Sequence, residues 1–421
     1  MFFLRLAGKS LWNRRVTSAL TVLSVALSIA LVLSVDRAKR ASEEGFTSTI
    51  SGTDLIVGAR SGPLNLLLYT VFNMGNATNN ISMETYQFFK GHPAVEWTIP
   101  YSLGDSHRGF RVVGTDDNFY EHYRFRKDRT IELAEGQRAQ GIWDVVLGAD
   151  VAKKLNYQLG QKVVIAHGVT KGEGILFHDD KPFRVSGILK KTGTALDRSL
   201  YITLAGLEAV HIDWQSGAQP TRESAIPQDQ VRAEDLKTTQ ITSFFLRTKS
   251  RIETLRLQRE INTYENEALL AIIPGVTLGE LWRGLEFVEA VLFSIGWLVI
   301  FVGLISLLIA LLTSLNERRR EMAILRSLGA SPLKLASLLV AESFLLSVLG
   351  VIAGVVLHVL SFWLLKGFLE NQLGLYLTGA WIGPQGWMAM TLTVILGALI
   401  GLLPAMQAQK RALKDGLSVK V

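Results

Sequence analysis

The sequence has no cysteine among its 421 residues. Disulfide frameworks, thiolate metal sites and thiol nucleophiles are therefore excluded. Charged residues are also scarce: they make up 19% of the chain, whereas soluble domains average about 25%. Hydrophobic residues reach 48%. The formal charge is +7, but the basic residues collect beside apolar runs. This pattern favours a membrane protein over a nucleic-acid binder.

Recognisable nucleotide-binding and catalytic motifs are lacking too. Gly8-Lys9-Ser10 matches the end of a P-loop, but Phe3 occupies the position of the required first glycine, and no strand precedes it. No serine lies in a G-x-S-x-G context. We therefore expect no catalytic or cofactor-binding residue in this chain.

Two short histidine pairs contain residue types that ligate metals. They are His178 with Asp179 and Asp180, and His211 with Asp213. Isolated pairs of this kind are more often solvated turns. We therefore predict no metal site, and a metal-linked function stays as the weakest alternative.

Four apolar runs are long enough to be membrane spans. Thr17–Val35 has 19 residues and no charge, enough to cross about 30 Å of hydrocarbon. A cleaved signal peptide is the rival interpretation, but "DRAKR" follows the run, without a small-x-small cleavage site. The other spans lie within Val288–Leu315, Leu338–Leu365 and Trp387–Met406.

Lysine and arginine residues cluster on one side of the predicted membrane. Arg37, Lys39 and Arg40 lie on the other side, just beyond the first span, and are followed by Glu43 and Glu44. Because long domains translocate largely regardless of charge, we expect both termini and the link between spans two and three to be cytoplasmic. The basic residues on that side are Lys9, Arg14, Arg15, Arg318, Arg319, Arg320, Arg326, Lys334, Lys410, Arg411 and Lys414.

The fold class is therefore an α-helical membrane protein with four spans, one before and three after a large α+β extracytoplasmic domain. The domain contains β-branched runs typical of strands, such as "FRVSGIL" and "TSFFLRT". Ser250 and Glu253 form a capping box that predicts a helix start. Thr277 and Glu280 form a second one, and the helix that it opens is expected to reach about Ser314.

The predicted segments follow one another in a simple order. They are an interfacial amphipathic helix at 1–16, the first span at 17–35 with its helix extending to about residue 50, the extracytoplasmic core domain at 51–276, a stalk and second span at 277–315, a cytoplasmic helix and turn at 316–335, the third span at 336–366, an extracytoplasmic loop at 367–384, the fourth span at 385–406 and a cytoplasmic tail at 407–421.

Two segments of the domain admit two interpretations each. Gly58–Asn80 carries apolar side chains that form either a short core helix or a surface that meets substrate or lipid. Asp213–Asp235 is polar with two prolines, and is either a mobile loop or a docking site for a partner. The apolar candidates in the first segment are Leu66, Leu67, Leu68, Val71 and Phe72.

Ionisable and small residues inside the third and fourth spans are further candidates. Glu342 and His358 are ionisable groups in or near span three, and such groups are functional candidates by default. Gly350 with Gly354, and Gly397 with Gly401, form G-x-x-x-G patterns. We expect these glycines to pack helices within one chain, with dimerisation as the alternative.

The link between spans two and three has its own helical pattern. Met322, Leu325 and Leu328 recur every three residues among charged neighbours, which predicts a short amphipathic helix. Gly329 suits a helix stop and Pro332 the first position of the next helix. A positive-inside anchor explains the arginines but not this helix with its own stop.

The chain resembles members of the MacB/FtsX-like (type VII) superfamily of ABC transporter permeases. The resemblance rests on "NERRREMAILRSLGASPLKLASLLVAESFLLSVLGVIAG", on "LLPAMQAQKRALKDGLS" and on outer phrases such as "FRVVGTDDNFY" and "LGADVAKKLNYQLGQKVVI". It implies a bacterial inner-membrane location and an outer domain of two subdomains, one inserted at about 118–240. It also implies a coupling helix for an ATPase, comprising Glu317, Arg318, Glu321, Met322, Leu325, Arg326, Leu328 and Gly329.

The resemblance further implies partners and a mode of action. A separate ABC ATPase subunit, in two copies, would supply ATP and Mg²⁺ chemistry, and a second copy of this chain or a paralogue would complete a dimer. Members move their outer domains to export drugs or peptides, extract lipoproteins or control cell-wall hydrolases. We therefore expect export or extraction of a hydrophobic or lipidated substrate, and the alternative is a non-transporting regulator of a periplasmic partner.

Overall fold

The computed structural model describes residues 2–47, 49–126, 128–168, 177–214, 225–317, 324, 327, 329–372 and 380–407. The chain divides into a helical unit and an α+β unit. The α+β unit is centred on Glu43–Gly284, and the helical unit contains Met1–Ser42 and Leu285–Glu370 together with the last span. The helical unit and the α+β unit agree with the predicted fold class.

Within the described residues, the helical unit contains four helices long and apolar enough to cross a membrane. A short helix, α1 (Phe2–Asn13), precedes them. The four long helices share a core of branched apolar side chains such as Ile29, Leu307 and Leu346. The four helices are α2 (Arg15–Thr47), α9 (Pro274–Glu317), α10 (Pro332–Gln372) and α11 (Pro384–Ile400).

The α+β unit is built on a 10-stranded sheet with short helices beside it. The helices are α3 (Pro63–Val71), α4 (Met83–Lys90), α5 (Asp117–His122), α6 (Ala149–Leu155), α7 (Leu204–His211) and α8 (Arg251–Asn262). The strands are β1 (Leu55–Ala59), β2 (Ile81–Ser82), β3 (Val95–His107), β4 (Phe110–Thr115), β5 (Arg124–Phe125), β6 (Arg129–Thr130), β7 (Leu133–Gly136), β8 (Asp144–Leu147), β9 (Lys162–Val163), β10 (Phe183–Leu189), β11 (Ser199–Thr203), β12 (Gln240–Ile241), β13 (Ser243–Thr248) and β14 (Leu269–Ile272).

Strand β3 joins the two halves of the sheet. The strand order is β14-β1-β13-β3-β4-β11-β8-β10-β7, with β9 on β10. The first part of β3 pairs with β13 and its second part with β4, and the register shifts between Leu103 and Ser106. One core cluster includes residues from both halves, such as Ile99 and Val146. The division into two subdomains stays a prediction, because the halves share a strand and a core.

Local sequence signals account for several element boundaries. Ser250 caps α8: its hydroxyl accepts from the Glu253 amide at 3.4 Å. Helix α9 begins at Pro274, so the prediction that it starts at Thr277 was wrong. Proline suits the first helical position because it lacks the N–H that would be left unpaired there. The amide of Thr277 already donates to the Ile273 carbonyl, 3.1 Å away.

Candidate functional site

The predicted coupling segment, 317–329, lies largely outside the described residues. Arg318, Glu321, Met322, Leu325, Arg326 and Leu328 belong to that undescribed part. Glu317 is the last residue of α9, and Gly329 has a φ of +87°, the left-handed conformation of a helix stop. The Ser331 carbonyl accepts from the Lys334 amide at 3.0 Å as α10 begins.

Arg14, which directly precedes α2, forms a hydrogen bond with the end of α9. Its guanidinium donates to the Ser314 carbonyl at 3.0 Å, where the last carbonyls of a helix lack partners within the helix. The contact places the beginning of the first span beside the end of α9, where the predicted coupling segment begins.

The three basic residues beyond the first span are held by specific contacts. Arg40 pairs with Asp36 at 3.0 Å and donates to the Ala380 carbonyl at 2.8 Å. The guanidinium carbon of Arg37 lies 4.0 Å from the centroid of the Trp381 ring. Lys39 forms an ion pair with Glu289 of α9. These contacts explain why positive charge is tolerated on the side that the charge rule disfavours.

The intramembrane candidates are buried among helices. Glu342 and His358 are both almost fully buried. The Nδ1 atom of His358 lies 3.1 Å from the Ser34 hydroxyl, and its ring packs against Phe362. His358 thus connects α10 to α2 inside the helical unit.

The four glycines lie at close helix–helix contacts within the chain. A Cβ on Gly350 would lie 2.6 Å from the Val25 side chain of α2, and one on Gly354 would lie 2.8 Å from the Ala26 carbonyl. Gly397 and Gly401 face serine side chains of α10 and leave no room for a Cβ. This placement favours packing within one chain over the dimer alternative.

The apolar segment Gly58–Asn80 forms helix α3, and most of its candidate contact residues are in the core. Leu66, Leu67 and Val71 are buried against the central cluster, so the surface interpretation is wrong for them. Leu68 and Phe72 are partly exposed. The α3 side chains turn inward because the helix packs on β1.

The structure brings the two histidine pairs together and adds two residues that the sequence analysis did not single out. The four members are Asp105 at the end of β3, His167 after β9, His178 before β10 and His211 at the end of α7. One potential ligand atom from each lies within 4.8 Å of all the others. We call these four residues the histidine cluster. No local spacing signals it, because each member comes from a different element.

Short distances connect three members of the histidine cluster. His167 Nδ1 lies 3.1 Å from His211 Nε2 and 3.7 Å from an Asp105 carboxylate oxygen. His211 Nε2 lies 3.4 Å from the other Asp105 oxygen. The Trp214 ring stacks on His167 at 5.1 Å and contacts His178 at 4.5 Å between ring centroids.

The environment shifts the pKa values of two of these imidazoles in opposite directions. Burial lowers the pKa of His178 to about 4, against the nearby charge of Asp105. Burial would also lower the pKa of His211, but the hydrogen bond and charge of Asp105 and the Leu207 carbonyl outweigh it and raise that pKa. The structure therefore keeps His178 neutral.

Asp213, expected to belong to a polar loop, is instead held in a buried ion pair. Its carboxylate lies 2.6 Å from Nζ of Lys181, which also contacts Asp180 at 2.6 Å. Residues 215–224 of the Asp213–Asp235 segment lie outside the described residues. The remainder includes a short 3-10 turn at Gln228–Gln230.

Two family models match this chain. A MacB-like periplasmic core domain matches residues 18–264, and an FtsX-like permease C-terminal domain matches residues 293–416. The first match alone covers more than half of the chain. The chain belongs to the MacB/FtsX-like family of ABC transporter permeases.

Individual relatives of this MacB/FtsX-like chain are distant. The lipoprotein-releasing system transmembrane protein LolC of Neisseria meningitidis serogroup B is 24% identical over 254 residues, which are 56% of this chain and 53% of the relative. The chain thus spans about half the length of this curated relative.

Two solved structures of outer domains are similar to parts of the chain. The periplasmic region of MacB from Actinobacillus actinomycetemcomitans is 11% identical, with a TM-score of 0.33, and covers 55% of this chain and 94% of its own. The extracellular domain of the noncanonic ABC-type transporter YknZ from Gram-positive bacteria is 13% identical, with a TM-score of 0.31, and covers 52% and 98%.

Proposed function

We propose that this permease couples ATP hydrolysis by a separate ATPase to motion of its extracytoplasmic domain. In this proposal both termini and the coupling segment are cytoplasmic. Two ATPase copies, carrying ATP and Mg²⁺, act on two permease chains. The substrate is a lipid-bearing or otherwise hydrophobic molecule, which is extracted from the outer leaflet of the inner membrane or exported from the periplasm.

The continuity of helix α9 carries this proposal. The helix has 44 residues, or about 66 Å at 1.5 Å per residue, whereas about 30 Å suffices to cross the hydrocarbon core. It begins two residues after β14, a strand of the outer sheet, and ends where the coupling segment begins. One unbroken helix therefore connects the sheet to the segment where an ATPase would act.

Close packing supports the view that α2 and α9 move together. The Ser28 hydroxyl donates to the Val299 carbonyl at 2.9 Å. Gly303 is packed against Ser28 of α2, where a Cβ would lie 2.8 Å from the hydroxyl oxygen. With the Lys39–Glu289 ion pair, contacts run along both helices. A displacement of α9 would therefore take α2 with it.

The substrate class rests on the relative and not on an apolar surface of α3. Leu66, Leu67 and Val71 of that helix are buried, so they do not support lipid contact. The curated relative is described as a lipoprotein-releasing protein. We extend that substrate class to this chain as a proposal.

A matched pair of substrates tests the proposal. The permease would be reconstituted with its ATPase in proteoliposomes that contain either a lipidated protein or the same protein without its lipid-bearing cysteine. We expect ATP-dependent release and stimulated ATP hydrolysis with the lipidated form alone. Equal responses to both forms, or no response to either, would contradict the substrate assignment.

A further inference from the structure

We propose that Asp105, His167, His178 and His211 bind one zinc ion in the extracytoplasmic domain. The four side chains converge from four separate elements, and their potential ligand atoms all lie within 4.8 Å of one another. This inference does not depend on the transported substrate, since it rests only on the geometry and charge of the histidine cluster.

The spacing suits a tetrahedral ion. Ligand atoms about 2.0–2.1 Å from zinc in a tetrahedron lie about 3.3 Å apart. The observed separations of 3.1 Å between His167 and His211, 3.4 Å between His211 and Asp105, and 3.7 Å between His167 and Asp105 bracket that value. The His178 ligand atom also lies within 4.8 Å of the other three.

Unpartnered polar atoms point to a bound cation. The Asp105 side chain is 1% exposed, and its ion-pair partners among the described residues are histidines, which are cationic only when protonated. His178 is 0% exposed, and neither ring nitrogen has a hydrogen-bond partner within the described part of the chain. One Asp105 oxygen accepts from the Gly168 amide at 3.4 Å, whereas the other oxygen and both His178 nitrogens lack a hydrogen-bond partner among the described residues. Leaving buried polar atoms without partners costs free energy, and a dication would satisfy them.

Neighbouring groups orient the ligands. The Nδ1 atom of His211 lies 2.9 Å from the Leu207 carbonyl, which fixes this nitrogen as the donor and leaves the Nε2 lone pair facing the cluster. Hydrogen bonds of this kind are the usual outer shell of metal-bound histidine. Neutral imidazole is the form of histidine that ligates metals.

The ligand set favours zinc over other metals. The exposure of one ligand gives the ion an access route. Three imidazoles and one carboxylate suit zinc better than Ca²⁺ or Mg²⁺, which prefer oxygen ligands. Trp214 covers one side of the cluster, while the His167 side chain is 46% exposed. A bound ion would link the end of β3 to the end of α7, to the segment after β9 and to the segment before β10.

Zinc titration of the full chain tests the site. The protein would carry no polyhistidine tag, would be stripped with EDTA in detergent, and would be titrated with Zn²⁺ against a chromophoric competitor. We expect one tight site per chain. His167→Gln and His211→Gln should each weaken it by about 100-fold or more, since even outer-shell changes cost about 10–100-fold. His92→Gln, a partly exposed histidine outside the cluster, is the matched control.

Two further measurements separate loss of ligand from loss of fold. Zn²⁺ should raise the thermal midpoint of the wild type and of His92→Gln but not that of His167→Gln, whose metal-free midpoint should match the wild type. Co²⁺ bound to the wild type should show the intense visible bands of tetrahedral coordination. Absence of stoichiometric binding, or binding unchanged in both His167→Gln and His211→Gln, would overturn the proposal.

Discussion

The ammonium nitrogen of Lys181 lies 2.6 Å from a carboxylate oxygen of Asp213, and both side chains are at least 99% buried. The same Asp213 oxygen also accepts from the Ile226 amide at 3.0 Å. The pair therefore connects the turn before β10 to the segment after α7 inside the α+β unit. Burial alone would raise the pKa of Asp213, but Lys181 and the Ile226 amide outweigh burial and lower it.

We predict that Lys181→Met destabilises the protein strongly. Removing one partner leaves a buried charge without compensation, which typically costs about 3–5 kcal/mol. The double variant Lys181→Met/Asp213→Leu should recover much of the loss, because it removes both charges. Chemical unfolding of the full chain in detergent with EDTA present would measure the free energies.

The control for the Lys181 variant is Lys190→Met. Lys190 pairs with Glu132 at 2.9 Å, but both side chains are well exposed, and such pairs contribute about 0–1 kcal/mol. Equal unfolding free energies for Lys181→Met and Lys190→Met would show that the buried pair does not stabilise the domain.

Long apolar runs in the sequence predicted the four membrane-spanning helices. Four apolar runs became four helices, since a run of about 20 apolar residues has few other stable conformations. Strands such as β10 and β13 were also predicted from β-branched and aromatic composition. These signals are local, so the sequence contains them directly.

Non-local features were missed for physical reasons. Strand β3 contains Pro100 and Gly104, which argue against a strand when read locally, yet pairing on both sides stabilises it. The histidine cluster depends on four elements that only the fold brings together. Pairs such as His178 with its neighbouring aspartates were visible, but their relation to Asp105 and His167 was not.

Close packing of α10 on α2 predicts that Gly354→Ala is destabilising. The new Cβ would lie 2.8 Å from the backbone carbonyl of Ala26, so the helices must separate, at a cost of about 1–3 kcal/mol. Gly367→Ala, in the same helix, is the control because a Cβ there meets nothing within 4 Å. Thermal unfolding in detergent should show a lower midpoint for Gly354→Ala alone. An unchanged midpoint would argue against this packing.

Asp116 should make stability depend on pH. Burial raises the pKa of Asp116 to about 6, from its ordinary value of 3.8. The folded state therefore retains a proton that the unfolded state loses, and this contribution to stability falls as pH rises from about 4 to about 6. Asp116→Asn should remove this loss and stabilise the protein above pH 6 by about 1–2 kcal/mol.

The exposed neighbour Asp117 provides the control for Asp116. Both residues lie at the start of α5, but Asp117 faces solvent. The change in unfolding free energy between pH 4 and pH 7 should differ between wild type and Asp116→Asn, and not between wild type and Asp117→Asn. A gain for Asp116→Asn that is as large at pH 4 as at pH 7 would exclude titration as its cause.

We predict that substitutions in the coupling segment weaken ATPase binding only when they lie on its apolar face. Leu325→Asp should abolish association with the ATPase and ATP-dependent activity, because it places a charge on the apolar face. On a helical projection, Ser327 lies about 160° from the centre of the face formed by Met322, Leu325 and Leu328, and it is exposed. Ser327→Asp should therefore retain binding. Co-purification would measure both, and intact binding by Leu325→Asp would refute the assignment.

The central claim is that α9 transmits motion between the cytoplasmic side and the outer domain. Inserting Gly-Gly-Ser-Gly after Gly284, where a Cβ would meet nothing within 4 Å, would interrupt the helix with a flexible linker. The same insertion after Glu265, an exposed position in the loop before β14, is the matched control. ATP-dependent release of a lipidated protein from proteoliposomes is the measurement. We predict that the Gly284 insertion abolishes release while ATPase binding persists, and that the Glu265 insertion retains release. Full release by the Gly284 insertion variant would contradict mechanical coupling through α9.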